Sequence, residues 1–183
     1  MAEIPLTQGM VAIVDEENSD YLAHFTWCAS REDNGEEGAE NKIYYAVRGW
    51  REGKKQHRIT MHQVLAEHWG LVVAPGSELD HVDGNGLNNR RSNLRICTHR
   101  QNIWNRRKQA NTSSIYKGVS WDKRREKWEA YFHLPGTKRK GKKEFLGYFV
   151  TEEQAALAYN DAATKYFGEF ARLNILPGGY DGT

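Results

Sequence analysis

One stretch of the chain brings together residue types that could do chemistry. Asp80-His81-Val82-Asp83-Gly84-Asn85 sets a carboxylate suited to metal binding directly beside an imidazole, and carboxamides follow at Asn93 and Asn102, 12 and 9 residues further on. Carboxylate and amide oxygens are hard donors for a divalent cation. An imidazole titrates near neutral pH, where a general base has to work. Arg90, Arg91, Arg95, Arg106 and Arg107 crowd the same region. Inside so basic a segment, these groups point to hydrolysis of a nucleic-acid phosphodiester.

The net charge of +2 conceals a strong polarity along the 183 residues. Residues 1–79 balance at −6, residues 80–149 at +11 and residues 150–183 at −3. A concentrated basic middle is the footprint of a polyanion binder. With 39% hydrophobic and 27% charged residues, the composition is that of one medium or two small soluble domains. No apolar run approaches the roughly 18 residues needed to span a bilayer. The start Met1-Ala2-Glu3-Ile4-Pro5 lacks the features of a secretory signal. Cys28 and Cys97 lack CxxC spacing, which argues for two buried thiols rather than a zinc knuckle or disulfide framework. These features predict a cytoplasmic protein, neither secreted nor membrane-bound.

Several elements must position the reactive groups. Residues 10–14 and 43–50 are rich in β-branched and aromatic side chains and predict strands, with an acidic loop over 31–41 between them. Thr60-x-x-Gln63 predicts a capping box, followed by helical spacing at Met61, Val64, Leu65, His68 and Trp69 and a stop at Gly70. His62 and His68 share no helix face and are read as packing or hydrogen-bonding histidines. Leu79-Asp80-His81 predicts a strand end, Val82–Arg91 a turn-rich loop, and Asn93–Cys97 the returning strand. Asn88 and Asn89 are expected to be turn residues, of a type that tolerates left-handed backbone. Thr98 then caps a helix that carries Asn102. His99 competes with Asn102 for the third position of the constellation.

Asp80-His81-x-Asp83-Gly84-Asn85, Asn88-Asn89-x-x-x-Asn93-Leu94-Arg95 and Thr98-x-x-x-Asn102 together resemble the HNH nucleases, in the subgroup found as intron- or phage-encoded homing endonucleases. The resemblance covers about residues 40–108. It implies a ββα-metal module in which His81 is the general base, Asp80 and Asn102 hold one Mg²⁺ or Mn²⁺ with no zinc expected, and Asn93 fastens the loop and orients the His81 ring. It also implies 5′-phosphate and 3′-hydroxyl products.

A second module begins near Ser113. Residues 116–121, 127–134 and 143–149 predict three short strands, and alternation in the second puts Trp128, Ala130, Phe132 and Leu134 on one face. Thr151-x-x-Gln154 opens an alanine-rich helix closed by Gly168. Tyr116-Lys117-Gly118-Val119, Trp128-x-Ala130, Phe145-Leu146-Gly147-x-Phe149 and Ala155-Ala156-x-Ala158-Tyr159 resemble the AP2/ERF DNA-binding domain over residues 113–174. That implies a three-stranded antiparallel sheet plus one helix, with Lys117, Tyr131, His133, Lys143 and Phe145 at strand positions that face DNA. Lys123, Arg124, Arg125, Lys127 and residues 138–143 are expected to grip phosphate.

The whole is expected to be α+β in two modules: nuclease 1–108, basic linker 109–112, DNA reader 113–174 and tail 175–183. The function expected is that of a metal-dependent, site-selective endonuclease acting on double-stranded DNA, as a monomer that nicks or a dimer that breaks both strands. The alternative is a sequence-specific regulator with a silent HNH scaffold; a third is a structure-selective nuclease.

Overall fold

The computed structural model of the chain describes residues 1–31, 43–108, 112–134 and 142–178. The acidic loop beyond Arg31, residues 109–111 of the expected linker, residues 135–141 and the tail from 179 lie outside the described residues. The chain is α+β and divides into two compact units, residues 1–99 and 100–183. No helix among the described residues is long and apolar enough to cross a membrane.

In the first unit, β1 (Ala2–Pro5) pairs antiparallel with β2 (Val11–Val14). A second antiparallel sheet has the order β3 (Cys28–Arg31), β4 (Tyr44–Glu52), β5 (Lys55–Thr60). The helices are α1 (Ser19–Ala23) and α2 (Met61–His68). Alternation drives β2: Ala12 and Val14 are fully buried while Val11 is exposed. The core gathers Ile4, Leu6, Ala12, Val14, Leu22, Trp27, Ala46, Met61, Val64 and Leu65. Trp27 is buried without loss because its indole Nε1 donates to Leu22 O at 2.9 Å. The Thr60–Gln63 capping box opens α2 as predicted. Sequence patterning missed β1, α1, β3 and β5. Lys55–Thr60 has Ile59 as its only apolar side chain and becomes a strand by pairing with β4.

β6 (Ser77–His81) and β7 (Leu94–Thr98) form an antiparallel ribbon. The loop joining them is seated against the rest of the unit. Ile13 N donates to Leu87 O at 2.8 Å and Asn89 N to Ile13 O at 2.7 Å, and Arg91 N donates to Asp15 Oδ2 at 2.7 Å. Gly86 allows the closest approach: a Cβ there would sit 2.5 Å from Tyr44 O and 2.6 Å from the Tyr45 ring. α3 (His99–Asn105) follows β7.

The second unit carries a sheet of order β10 (Lys142–Phe149), β9 (Lys127–Leu134), β8 (Val119–Asp122) and one long helix, α4 (Glu152–Phe167). β8 starts at Val119 rather than Tyr116 because Gly118 turns the chain with φ +74°. Thr151 caps α4, accepting from Gln154 N at 3.2 Å. The small side chains Ala155, Ala156 and Ala163 are fully buried and bring α4 close to Val119, Ala130 and Phe132. Asn174 ties three segments together. Its N–H donates to Asn160 Oδ1 at 2.8 Å, its side chain donates to Lys117 O at 3.0 Å, and its Oδ1 accepts from Lys117 N at 2.7 Å.

Gly118 is the tightest point of this unit, since a Cβ would lie 2.0 Å from the Tyr159 ring and 2.6 Å from Tyr131 O. Gly118→Ala is expected to cost about 3 kcal/mol through overpacking and the left-handed φ. Urea unfolding of the full chain checks this, and an unchanged midpoint would contradict it.

Candidate active site

Asp80 and His81 end β6 and are buried, with 6% and 4% of their surfaces exposed. Neighbours on a strand point to opposite faces, and the two side chains have different surroundings. Asp80 Oδ2 accepts from Arg95 Nε at 3.0 Å and Nη2 at 2.9 Å, a guanidinium fork from the paired strand. The His81 ring packs beside Tyr45, centroids 5.6 Å apart, and edge-on to His62 at 5.0 Å. Its Nε2 lies 3.3 Å from Asn89 Oδ1. An Nε2–H donating to that oxygen puts the lone pair of the neutral ring on Nδ1.

The loop between the strands is fastened by its own amides. Asn93 Oδ1 accepts from Asp83 N at 3.0 Å, and Asn93 Nδ2 donates to Asp83 Oδ1 at 3.0 Å and to Asn88 O at 2.7 Å. Asn88 Nδ2 donates to the other Asp83 oxygen at 2.7 Å. Burial alone would raise the Asp83 carboxyl; hydrogen bonds from Asn88, Asn85 and Asn93 outweigh it and hold the group below the ordinary range. Asn93 therefore stands where a loop fastener would, while the described partner of the His81 ring is Asn89. Sequence patterning reads Asn88 and Asn89 as turn residues that tolerate left-handed backbone. Both are instead buried, and the sole non-glycine with positive φ among the described residues is Glu126. Their role follows from the parallel bridge to β2 at Ile13, which no local pattern announces.

His62, read from sequence as a packing histidine, forms the other wall of the site. Its Nε2 is 3.0 Å from Thr60 Oγ1, and its ring contacts those of Tyr45 and His81. Burial, then the neighbouring His81, pushes its pKa down to about 3. Burial likewise lowers His81, against opposing pulls from Asn89, Asp83 and Asp80. Two neutral imidazoles therefore face each other at neutral pH.

Asn102 lies on α3 in the second unit and is half-buried. His99, its competitor, places Nδ1 2.7 Å from Glu78 Oε1. Among the described residues no group of three or more His, Cys, Asp or Glu could hold a metal ion.

Several of the basic residues are engaged within the protein: Arg95 on Asp80, Arg90 Nε on Asn88 Oδ1 at 2.9 Å, Arg91 over the Trp69 ring at 4.8 Å, Arg125 on Asp122 Oδ2 at 3.1 Å and over the Tyr148 ring at 4.7 Å, and Lys117. Lys117 is turned inward, away from the strand face assigned to it, because it precedes the turn at Gly118. Its ammonium donates to Trp104 O and Arg106 O at the end of α3. Burial, then Arg172, lowers its pKa to about 7. Arg106, Arg107, Lys123, Arg124, Arg125 and Lys127 are exposed. On the sheet, Ala130 and Phe132 face α4, while Tyr131, His133, Lys143 and Phe145 form the opposite face. There Lys143 Nζ sits 3.9 Å above the Tyr131 ring and 2.8 Å from Glu129 Oε1. A bulge between Phe145 and Gly147 keeps both Phe145 and Tyr148 outward, 52% and 36% exposed.

The His62 pKa carries a pH signature. Because the unfolded chain protonates near 6.5 and the folded one near 3, the unfolded state binds the extra proton between those values. Stability is therefore lost as pH falls from about 6.5 towards 3. In His62→Gln the acid limb of urea midpoint against pH is expected to be shallower; identical limbs would contradict the assignment.

Residues 61–103 match the family model of HNH endonucleases. The chain is 41% identical to Protein 3.8 of Escherichia phage T7 over 56 residues, 31% of this chain and 46% of the phage protein. It is 40% identical to an uncharacterized HNH endonuclease of Acanthamoeba polyphaga mimivirus over 98 residues, 54% of this chain and 47% of the viral protein. It is also 38% identical to the AP2-like ethylene-responsive transcription factor AIL7 of Arabidopsis thaliana over 73 residues, 37% of this chain and 15% of the plant protein. The chain spans about half the length of the viral relatives it matches. No solved structure matches significantly. The loop that Asn93 fastens, the buried Asp80-His81 pair and the helix before them thus lie in the segment that matches the HNH endonuclease family model, in a chain that is also similar to AP2-like transcription factors.

Proposed function

We propose that the chain is a metal-dependent, site-selective endonuclease of the homing type that hydrolyses a phosphodiester of double-stranded DNA to a 5′-phosphate and a 3′-hydroxyl. One observation carries this function above the rest: the His81 imidazole, adjacent to Asp80, is fixed between Tyr45, His62 and Asn89 at the mouth of an amide-fastened loop. Fixed geometry is what a general base needs, since it must meet its water at hydrogen-bond distance.

His81 takes a proton from the water that attacks phosphorus. Asn89 and the flanking rings hold the imidazole, and Asn93 holds the loop that carries them. Asp80 and Asn102 are the residues that would hold the cation. Their carboxylate and amide oxygens are the hard donors that magnesium or manganese takes, and an ion of this class leaves its other positions to water and phosphate oxygens. Arg95 fixes the Asp80 carboxylate in one orientation. When bound, such a cation stabilises charge developing on the 3′ leaving oxygen. The exposed cations Arg106, Arg107, Lys123, Arg124, Arg125 and Lys127 grip phosphates, and the face of Tyr131, His133, Lys143 and Phe145 meets the DNA groove, so that a nuclease region of 1–108 is directed by a reader at 113–174. The working form is a monomer.

Supercoiled plasmid with Mg²⁺ tests the proposal. Wild type is expected to nick or cut, and His81→Ala to lose about 10²- to 10⁴-fold in rate, the usual worth of a general base. Equal cleavage by the variant overturns the role of His81. Binding without cleavage, in Mg²⁺ and Mn²⁺ on DNA containing the site, overturns the enzyme in favour of a regulator.

Asp80→Asn separates metal binding from DNA binding. Alanine is unsuitable there, because stranding Arg95 half-buried without its partner costs about 3–5 kcal/mol. Asp80→Asn is expected to abolish cleavage while changing DNA affinity by less than about twofold; an affinity loss as large as the activity loss would undo the metal assignment.

A further inference from the structure

The first unit holds a basic surface that the assigned nuclease and reader residues do not use. Residues 1–79 are acidic overall, yet the β4–β5 hairpin Tyr44–Thr60 carries Arg48, Arg51, Lys54, Lys55 and Arg58 against Glu52 alone. Strand alternation sorts these residues onto two faces. On one face Trp50 stacks on His57 at 5.1 Å, and the Arg48 guanidinium lies 4.0 Å above Phe25 and 5.3 Å from Trp50. That cation–aromatic ladder braces the hairpin. The other face runs through Tyr45, Val47, Gly49 and Arg51 on β4, opposite Thr60, Arg58 and Gln56 on β5. Arg51 and Arg58 are exposed on it, and no side chain rises at Gly49 between them.

This face ends in a cavity of about 520 Å³ lined by Arg31, Arg58, Tyr45, Thr60 and His62 among others. The cavity lies one imidazole away from the candidate base, since His62 and Tyr45 both contact His81. Two guanidiniums and a hydroxyl around an open pocket suit an anionic oxygen, because arginine presents forked donors to phosphate.

We infer that the Arg51–Arg58 face and its pocket form a phosphodiester-binding track for duplex DNA, holding the backbone that adjoins the bond to be cut. This rests on the nuclease proposal for its position beside the scissile phosphate. Its contacts are to phosphate, so they act on DNA of any sequence.

The test measures binding of the full chain to a random-sequence DNA duplex in EDTA, as a function of salt. Arg51→Gln with Arg58→Gln is expected to reduce the log–log salt slope by about 1.8, at roughly 0.9 for each phosphate no longer neutralised. Affinity should fall about tenfold at 0.1 M salt, whereas Arg51→Lys with Arg58→Lys keeps the slope. Lys55→Gln, on the opposite face, is expected to change the slope by well under 0.9. A glutamine variant that melts like wild type and keeps its full slope overturns the track, even where wild type cleaves plasmid. A reduced slope alongside a wild type that never cleaves supports the track and sinks the nuclease assignment alone.

Discussion

The amide of Asn93 holds the loop beside the buried His81 ring in place. The loop between β6 and β7 is mostly polar, and its buried backbone groups must all find partners, inside the loop or beyond it. Asn93 supplies some of them with one side chain, accepting from Asp83 N and donating to Asp83 Oδ1 and Asn88 O. Asp83 passes the constraint on through Asn88 and Asn85. Removing one partner from such a buried network strands the others at about 1–3 kcal/mol each. The position of the His81 ring depends on this chain of amides, because its described hydrogen-bond partner, Asn89, is the residue after Asn88.

Three other contacts finish the cradle from outside the loop. The bridge from Ile13 binds the backbone on either side of Asn88. Gly86 lets the loop touch Tyr44 and Tyr45 where any side chain would collide. Tyr45 and His62 then close on His81. The result is a pair of imidazoles whose burial favours the neutral form, next to a carboxylate whose charge a guanidinium balances. Charge is thus paired or suppressed at the centre of the site, and the unbalanced cations stand on the hairpin around it.

The second unit solves a different problem, that of presenting a rigid face. α4 covers one side of its sheet with alanines, which permit close contact, and Asn160, Asn174 and Lys117 lock the flanking segments to it. The inward Lys117 shows the cost of that rigidity: a cation is held partly desolvated on helix carbonyls, with its pKa brought down to about 7. The opposite side is left with aromatic and cationic groups that brace one another, Lys143 on Tyr131 and Arg125 on Tyr148.

From sequence alone came the α+β class, the ribbon that carries Asp80 and His81, α2 and α4 with their capping boxes, and the faces of β9. Each rests on local chemistry: a cap needs residues three apart, and a half-buried strand must alternate. β5 escaped because a strand with one apolar residue, Ile59, shows no period until β4 pairs with it. The contacts of Asn89 and His62 with the His81 ring were not legible in the local sequence, because Ile13, Tyr45 and His81 come from distant segments of the chain; His62 does pack and hydrogen-bond as expected, on Tyr45, His81 and Thr60. Net charge over residues 1–79 hid the basic hairpin for a related reason: averaging along the chain mixes side chains that strand alternation sorts onto separate faces. Residue type fixes which reaction a group could perform; which groups share a cavity is decided by contacts between remote segments, and these form only when the chain folds.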